Sequence, residues 1–382
     1  MEGSVRKLGK NWYYRFDVAD INGKRHQIER VGGETKKEAL IALEQALTKY
    51  HNAGVFREEE KISVNDYMKF WLENYVNKNL STNSYINYKN VINKYILPKL
   101  GIYRLNKLTP AVIQKFINEV AESTEYKHDH TPLSKHSVEI ILMVVKESLR
   151  HAVHPWQLLD HSPADYVTMP KYRSNTDQND LKVITSEQFK QISSVLNEYQ
   201  MIPFYIAYYT GMRRGEVCGL TWANVNLNRQ IITVNQQMKQ YAKNDIRIGT
   251  LKTAASYRTI TIGKTLTNIL KHQQLRQKEL QMKYGSYYYK SDFVCTKKNG
   301  KPITPTSVKY MSDRVHAKLG FPFNFHSLRH THATMLLEAG ASPKEVQVRL
   351  GHSRISTTLD TYVHLSDSKK RQTADLFDQV SM

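Results

Sequence analysis

Four separated clusters in the C-terminal half of this 382-residue chain carry arginine, lysine, histidine and tyrosine, and no acidic cluster beside them could hold two magnesium ions. Phosphoryl transfer is catalysed mainly by positioning and by neutralising the non-bridging oxygens, so a metal-free site needs several fixed cations. Arginine suits that task because its planar fork binds phosphate oxygens in pairs and stays charged. In the first cluster, Thr210-Gly211-Met212-Arg213-Arg214-Gly215-Glu216, Gly211 is predicted to end an apolar helix from Ile202 to Tyr209. A new helix then starts with Arg213 near its N-terminus. Arg213 and Glu216 are three apart, so the carboxylate can orient the guanidinium, although an exposed ion pair would read the same way.

The second cluster is Thr250-Leu251-Lys252-Thr253, followed by a strand-like run to Ile262; a lysine on such a hairpin loop is a mobile proton donor. The third, Phe325-His326-Ser327-Leu328-Arg329-His330-Thr331, puts His326 and Arg329 on one helix face, within reach of one phosphate. His330 and His332 raise a metal reading, but their spacing is not His-Glu-x-x-His and no acidic partner follows at a zinc-like interval. The fourth is Leu350-Gly351-His352-Ser353, then Thr357-Thr358-Leu359-Asp360-Thr361-Tyr362. Any one of the 24 tyrosines would by itself be a packing residue, so only the ordered combination makes Tyr362 a candidate nucleophile.

In this order and context, Arg213, Lys252, His326-x-x-Arg329, Leu350-Gly351-His352 and Tyr362 resemble the full active-site set of the tyrosine recombinases, from about Ile184 to the C-terminus. The resemblance implies that Tyr362 attacks the scissile phosphorus, forming a 3′-phosphotyrosyl bond and freeing a 5′-hydroxyl, with no ATP, metal or other cofactor. It further implies that Arg213, Arg329 and His352 stabilise the non-bridging oxygens, that Lys252 protonates the leaving oxygen and that His326 helps manage the tyrosine proton; Glu216, by its spacing from Arg213, would support the set. The implied partner is double-stranded DNA carrying core and arm attachment sites. A tetramer on DNA is implied as well, joined by exchange of a C-terminal helix and assisted by an excisionase and a host DNA-bending protein. Ala374, Leu376, Phe377 and Val380 form a short apolar stripe for such a helix, and packing within one chain would leave the same stripe.

These side chains must be held by folded domains. With 40% hydrophobic and 24% charged residues the composition is that of a globular protein, and the length suits two or three domains. Two cysteines exclude a disulfide framework or a Cys-rich zinc site. The absence of an apolar leader and of any membrane-length apolar run predicts a cytoplasmic protein. The net charge of +20 points to an anionic partner, above all nucleic acid; residues 1–60 carry an excess of +1, residues 61–180 of +3 and residues 181–382 of +16.

Residues 1–55 read as a three-stranded meander (Val5 to Leu8, Asn11 to Val18, Lys24 to Arg30) backed by a helix from Lys36 to about Tyr50, whose stripe is Ala39, Leu40, Ala42, Leu43, Ala46 and Leu47. If the helix covers the Trp12, Tyr14 and Phe16 face, then Tyr13 and Arg15, joined by Arg25 and Gln27, face outward. They either read DNA in a major groove or are ordinary solvated strand residues. Residues 62–168 read as a helical bundle. One helix opens at Ser63 with Tyr67, Phe70, Trp71 and Tyr75 in core spacing; another opens at Ser81 or Thr82 and stops near Pro98. Residues 181–382 read as a mixed α+β, mainly helical, catalytic domain. The first unit is similar to the arm-binding domain of integrases from phages and conjugative elements of Gram-positive bacteria, and the second to the SAM-like core-binding domain of the family. A type IB topoisomerase would share the chemistry without the arm unit, and a non-catalytic DNA-binding regulator would use the sheet alone.

Overall fold

The computed structural model describes residues 3–19, 25–53, 62–127, 129–172, 183–242 and 244–360, with the backbone alone at residues 18, 19, 25, 26, 49–53, 357 and 360. Tyr362 and the apolar stripe from Ala374 lie outside the described residues. The chain divides into two units, Met1–Arg173 and Ser174–Met382.

In the first unit, β1 (Ser4–Leu8), β2 (Asn11–Ala19) and β3 (Arg25–Gly33) form an antiparallel sheet in that order. Helix α1 (Lys36–Ala53) starts where the Thr35 hydroxyl accepts from the Glu38 N–H and the Glu38 carboxylate accepts from the Thr35 N–H. Phe16, Leu43 and Ala46 are buried between helix and sheet, with Val5, Tyr14, Ile28 and Leu47 around them. Leu40 departs from the expected stripe at 47% exposure, because a sheet of three strands is too narrow to cover the stripe's full width.

The bundle consists of α2 (Val64–Trp71), α3 (Thr82–Val91), α4 (Pro110–Glu122) and α5 (Lys135–Val153), whose caps are the side chains of Ser63, Ser81, Thr109 and Ser134. Tyr67, Trp71, Ile92, Ile96, Ile113, Ile117 and Leu149 fill its core. One expectation fails here: Phe70 is 39% exposed, its ring meeting Trp156 edge-on. The helix does stop near Pro98, at Leu100: a π turn, Ile92–Ile96, precedes a last turn, Leu97–Leu100, and in that wider winding the Leu97 N–H donates five residues back to Ile92. The interruption of the α pattern falls just where proline would remove a bond.

In the second unit, α6 (Ser186–Val195) and α7 (Glu198–Thr210) are followed by the single-turn α8 (Arg214–Cys218). Strands β4 (Val225–Asn226), β5 (Ile231–Val234) and β8 (Arg258–Thr261) form one sheet, and β6 (Gln237–Gln240) pairs with β7 (Ile246–Gly249) as a hairpin. Helices α9 (Lys264–Tyr284), α10 (Pro305–Leu319), α11 (Ser327–Glu338), α12 (Pro343–Leu350) and α13 (Ser356–Asp360) complete it. Phe204, Ile206, Val217, Ile232, Ile260, Leu270, Val294, Val315 and Leu328 form the core. Gly215 and Gly219 of the α8 segment lie against the backbone of Gln237 and Met238, where a β-carbon would sit 2.7–3.0 Å from backbone atoms, so the hairpin packs directly on this turn. No helix among the described residues is long and apolar enough to cross a membrane.

Candidate active site

Helix α7 ends at Gly211, whose φ of +68° is left-handed and whose α-carbon faces Leu350 and His332 closely enough that a β-carbon would overlap both. The reversal places Arg213 as the residue before α8. Its N–H donates to Glu216 Oε2 at 2.9 Å, its Nη1 to Glu216 Oε1 at 2.9 Å and its Nη2 to the Gly351 carbonyl at 3.2 Å. The orientation of Arg213 by Glu216 expected from their spacing is therefore present. Glu216 is 2% exposed and also accepts from Arg258 Nη2 at 2.8 Å. Burial works to raise its pKa, but the hydrogen bond and charge of Arg258, with those of Arg213, hold it below the ordinary value.

Arg258 is itself buried and donates Nε to the Arg349 carbonyl at 2.8 Å and Nη1 to that of Ser256 at 2.9 Å. Arg329, 3% exposed, donates Nη1 to the Gly211 carbonyl at 2.7 Å and Nη2 to that of Leu350 at 2.8 Å. Three consecutive carbonyls at the end of α12, those of Arg349, Leu350 and Gly351, thus each accept from a different arginine. These are carbonyls that a helix leaves without intrahelical partners, at its negative end. Gly351, with φ of +70°, opens the turn; a β-carbon there would lie 2.8 Å from the Ala255 carbonyl oxygen and 3.1 Å from Arg258 Cδ.

The histidines stand in the field of these arginines. Burial, then Arg329, Arg213, His330 and His326, lowers the pKa of His352 to about 3, and its Nδ1 lies 2.9 Å from the Thr358 hydroxyl. Burial around the ring, then His330, Arg329, Arg213 and Arg214, lowers that of His326 to about 4, although the residue as a whole keeps an exposed side. Both are neutral near pH 7. His332 occupies both ring nitrogens: Nδ1 donates to the Tyr208 carbonyl at 2.8 Å and Nε2 accepts from Arg349 Nε at 3.0 Å. Among the described residues no three His, Cys, Asp or Glu side chains gather as a metal ion requires.

Lys252 lies on the exposed loop between β7 and the turn at residues 254–256 and makes no hydrogen bond or ion pair with the described residues, so none of them fixes it with the others. Tyr362 lies outside the described residues; the preceding α13 is described, and Thr358 on it is fully buried. The sequence reading missed Arg258, Arg349 and Thr358. Arg258 did carry a signal, since alternation places it on the same strand face as the buried Ile260 and Ile262.

On the N-terminal sheet the register places Arg15 opposite Ser4 and Glu29, Gln27 opposite Asp17, Tyr13 opposite Arg6 and Val31, and Arg25 opposite Ala19. Tyr13, Arg15 and Gln27 thus share the face away from α1, but Arg15 donates to the Ser4 hydroxyl at 2.8 Å and Gln27 to Asp17 at 3.3 Å, so these two are already engaged within the sheet. The Arg25 side chain is outside the described residues. Arg6, absent from the expected set, grips Glu29 on this face with two nitrogens.

Three family models match in chain order: Arm DNA-binding domain over residues 4–50, Phage integrase, N-terminal SAM-like domain over 63–121, and Phage integrase family over 182–369. The chain is similar to the tyrosine recombinase XerC-like protein of Caldanaerobacter subterraneus subsp. tengcongensis, with 26% identity over 98% of this chain and 97% of that one. It is also similar to the ICEBs1 integrase of Bacillus subtilis, with 28% identity over 99% of this chain and all of that one. Among solved structures, a Tn1549 transposon integrase fragment in complex with transposon right end DNA shares the fold at a TM-score of 0.66 and 19% identity, over 82% of this chain and 99% of that one. With three domains of one family matched in order and two relatives aligned over nearly their whole length, the chain belongs to the phage integrase family of tyrosine recombinases.

Proposed function

We propose that this protein is a site-specific integrase that inserts and excises a mobile element by breaking and rejoining double-stranded DNA through a 3′-phosphotyrosyl intermediate. The observation that carries the reading is the arginine cluster anchored on helix-end carbonyls. Arg213 and Arg258 share one buried carboxylate, Glu216, while Arg329 donates to carbonyls alone; among the described residues the other acceptors of all three are neutral, so the site keeps excess positive charge for an anion. Arg213, whose side chain is 38% exposed, and Arg329 would stabilise the non-bridging oxygens of the scissile phosphate. Neutral His352 would add an N–H donor, and neutral His326 would take the Tyr362 proton as the tyrosyl oxygen bonds to phosphorus. The bond to the 5′-oxygen breaks as Lys252, exposed on its loop, gives that oxygen a proton.

In this reading residues 1–55 bind arm sites, residues 62–168 bind the core site, and residues 181–382 carry out cleavage. The similar Tn1549 integrase is described with transposon end DNA, which supports DNA as the partner here. The acting form would be a tetramer on DNA in the bacterial cytoplasm, joined through the segment after Tyr362 and directed by an excisionase and a host bending protein. The test is covalent trapping. A core-site duplex nicked close to the cleavage position should leave a protein–DNA adduct stable to denaturant, attached through Tyr362 at a 3′-phosphate. Specific binding with no adduct would leave a DNA-binding regulator instead.

A further inference from the structure

We propose that Thr358 is a positioning residue for cleavage: its hydroxyl fixes which nitrogen of His352 carries the ring proton and ties that choice to the segment bearing Tyr362. The inference rests on the function proposed above for His352. The backbone of His352 is already held, its N–H donating to the Gln347 carbonyl at 3.1 Å and its carbonyl accepting from Gln347 Nε2 at 3.1 Å. The tautomer of the ring is what remains to be set. Its Nδ1 lies 2.9 Å from the hydroxyl of Thr358, which is fully buried.

A hydroxyl can donate to this nitrogen or accept from it. If Nδ1 carried the proton, the threonine would accept and its own proton would be left, among the described residues, without an acceptor in a buried place, which is the unfavourable arrangement. If the threonine donates, both groups are satisfied and the proton of neutral His352 must sit on Nε2. That nitrogen is the one left to meet a ligand, in surroundings where burial, then Arg329 and Arg213, lower the ring's pKa and so favour the neutral form. An N–H there joins the arginines in donating to an anion, whereas a lone pair would oppose it. Thr358 also stands on α13, four residues before Tyr362, with its own N–H on the Ile355 carbonyl at 2.9 Å. Undocking of α13 would therefore remove the donor that sets His352.

The test uses the full-length protein labelled with ¹⁵N-histidine at pH 7, with His352→Gln identifying the signal. The wild type should show His352 as the Nε2–H tautomer. Thr358→Val, which keeps the shape and removes the hydroxyl, should shift that signal towards a mixture and slow single-turnover cleavage at saturating DNA about tenfold, while DNA affinity and melting temperature hold. Thr358→Ser should restore both. An Nδ1–H tautomer in the wild type overturns the proposal whether or not the valine variant folds. So does a valine variant that loses cleavage with an unchanged tautomer, or one that changes neither. Failure of the recombinase reading is separate, because it appears as a wild type that forms no adduct.

Discussion

Replacing Glu216 by glutamine changes one buried charge and almost no volume. The carboxylate accepts from the Arg213 N–H, Arg213 Nη1 and Arg258 Nη2, at 2.9, 2.9 and 2.8 Å. An amide can accept on one side only, so its NH₂ must face an arginine donor on the other, and Arg258, 4% exposed at its side chain, loses its counter-charge. Breaking a buried ion pair by neutralising one partner costs about 3–5 kcal/mol. For a unit of this size each kcal/mol lowers the melting temperature by roughly 2–4 °C. The transition of the Ser174–Met382 unit, followed calorimetrically, should therefore fall by about 6–20 °C. Cleavage should fall on the order of 10²-fold, the scale for displacing a reacting group by about 1 Å, since Arg213 loses its guide. The pH dependence gives a second check. The folded pKa of Glu216 is depressed, so its stabilising contribution is whole above the unfolded value of about 4.3 and is lost as pH falls through the folded one. The gap in melting temperature between wild type and variant should thus narrow below about pH 4. A variant that melts within a degree or two of the wild type at pH 7, or a gap that widens in acid, would refute the reasoning.

Tyr362→Phe should abolish the covalent adduct and leave DNA affinity near that of the wild type; an adduct in this variant removes Tyr362 from the mechanism. Arg213→Ala and Arg329→Ala should each slow single-turnover cleavage by about 10²-fold or more, and near-normal cleavage in either takes that residue out of the site. The excess of +16 in residues 181–382 should make core-site affinity fall steeply with salt, each phosphate contact adding about 0.9 to the slope of log K against log salt; a slope near zero contradicts the charge argument. Arg15→Ala should weaken binding to arm-site DNA without changing cleavage of a short core site, and equal loss on both substrates, or none on either, denies the sheet a separate DNA-reading role.

Where one local rule decided an element, the sequence was enough to place it. Gly211 after an apolar run, and Ser63 and Ser81 before amphipathic ones, mark helix ends that the structure has. Arg213 and Glu216 were legible as a pair for the same reason, being neighbours on one turn. The hairpin of β6 and β7 was not, because Gln237–Gln240 buries Met238 alone and so shows no alternating pattern. Pro98 marked the end of its helix, but not the π turn upstream, which changes the bonding that proline interrupts. Arg258 and Arg349 escaped notice because their partners, the Glu216 carboxylate and the carbonyls of Ser256, Arg349, Thr261 and Tyr209, are defined by tertiary packing.

That choice of partners bears on how a site can be both folded and positively charged. Burying arginines beside carboxylates in equal number would satisfy them and cancel the field a phosphate needs. Among the described residues only Glu216 is a charged acceptor here, while the carbonyls of Gly211, Ser256, Arg349, Leu350 and Gly351 accept from the arginines without cancelling their charge. The field that survives is seen in its effect on His326 and His352, where the nearby arginines add to burial in lowering the pKa. It also explains the glycines, since Gly211 and Gly351 turn the chain through left-handed backbone at the ends of α7 and α12, where carbonyls must reach an arginine at close range. A side chain at Gly351 would press on Ala255 and Arg258 and move those carbonyls away from their arginines. The Leu-Gly-His turn is therefore as much a part of the electrostatics as the arginines are, because it determines where their charge is held and leaves that charge open to DNA.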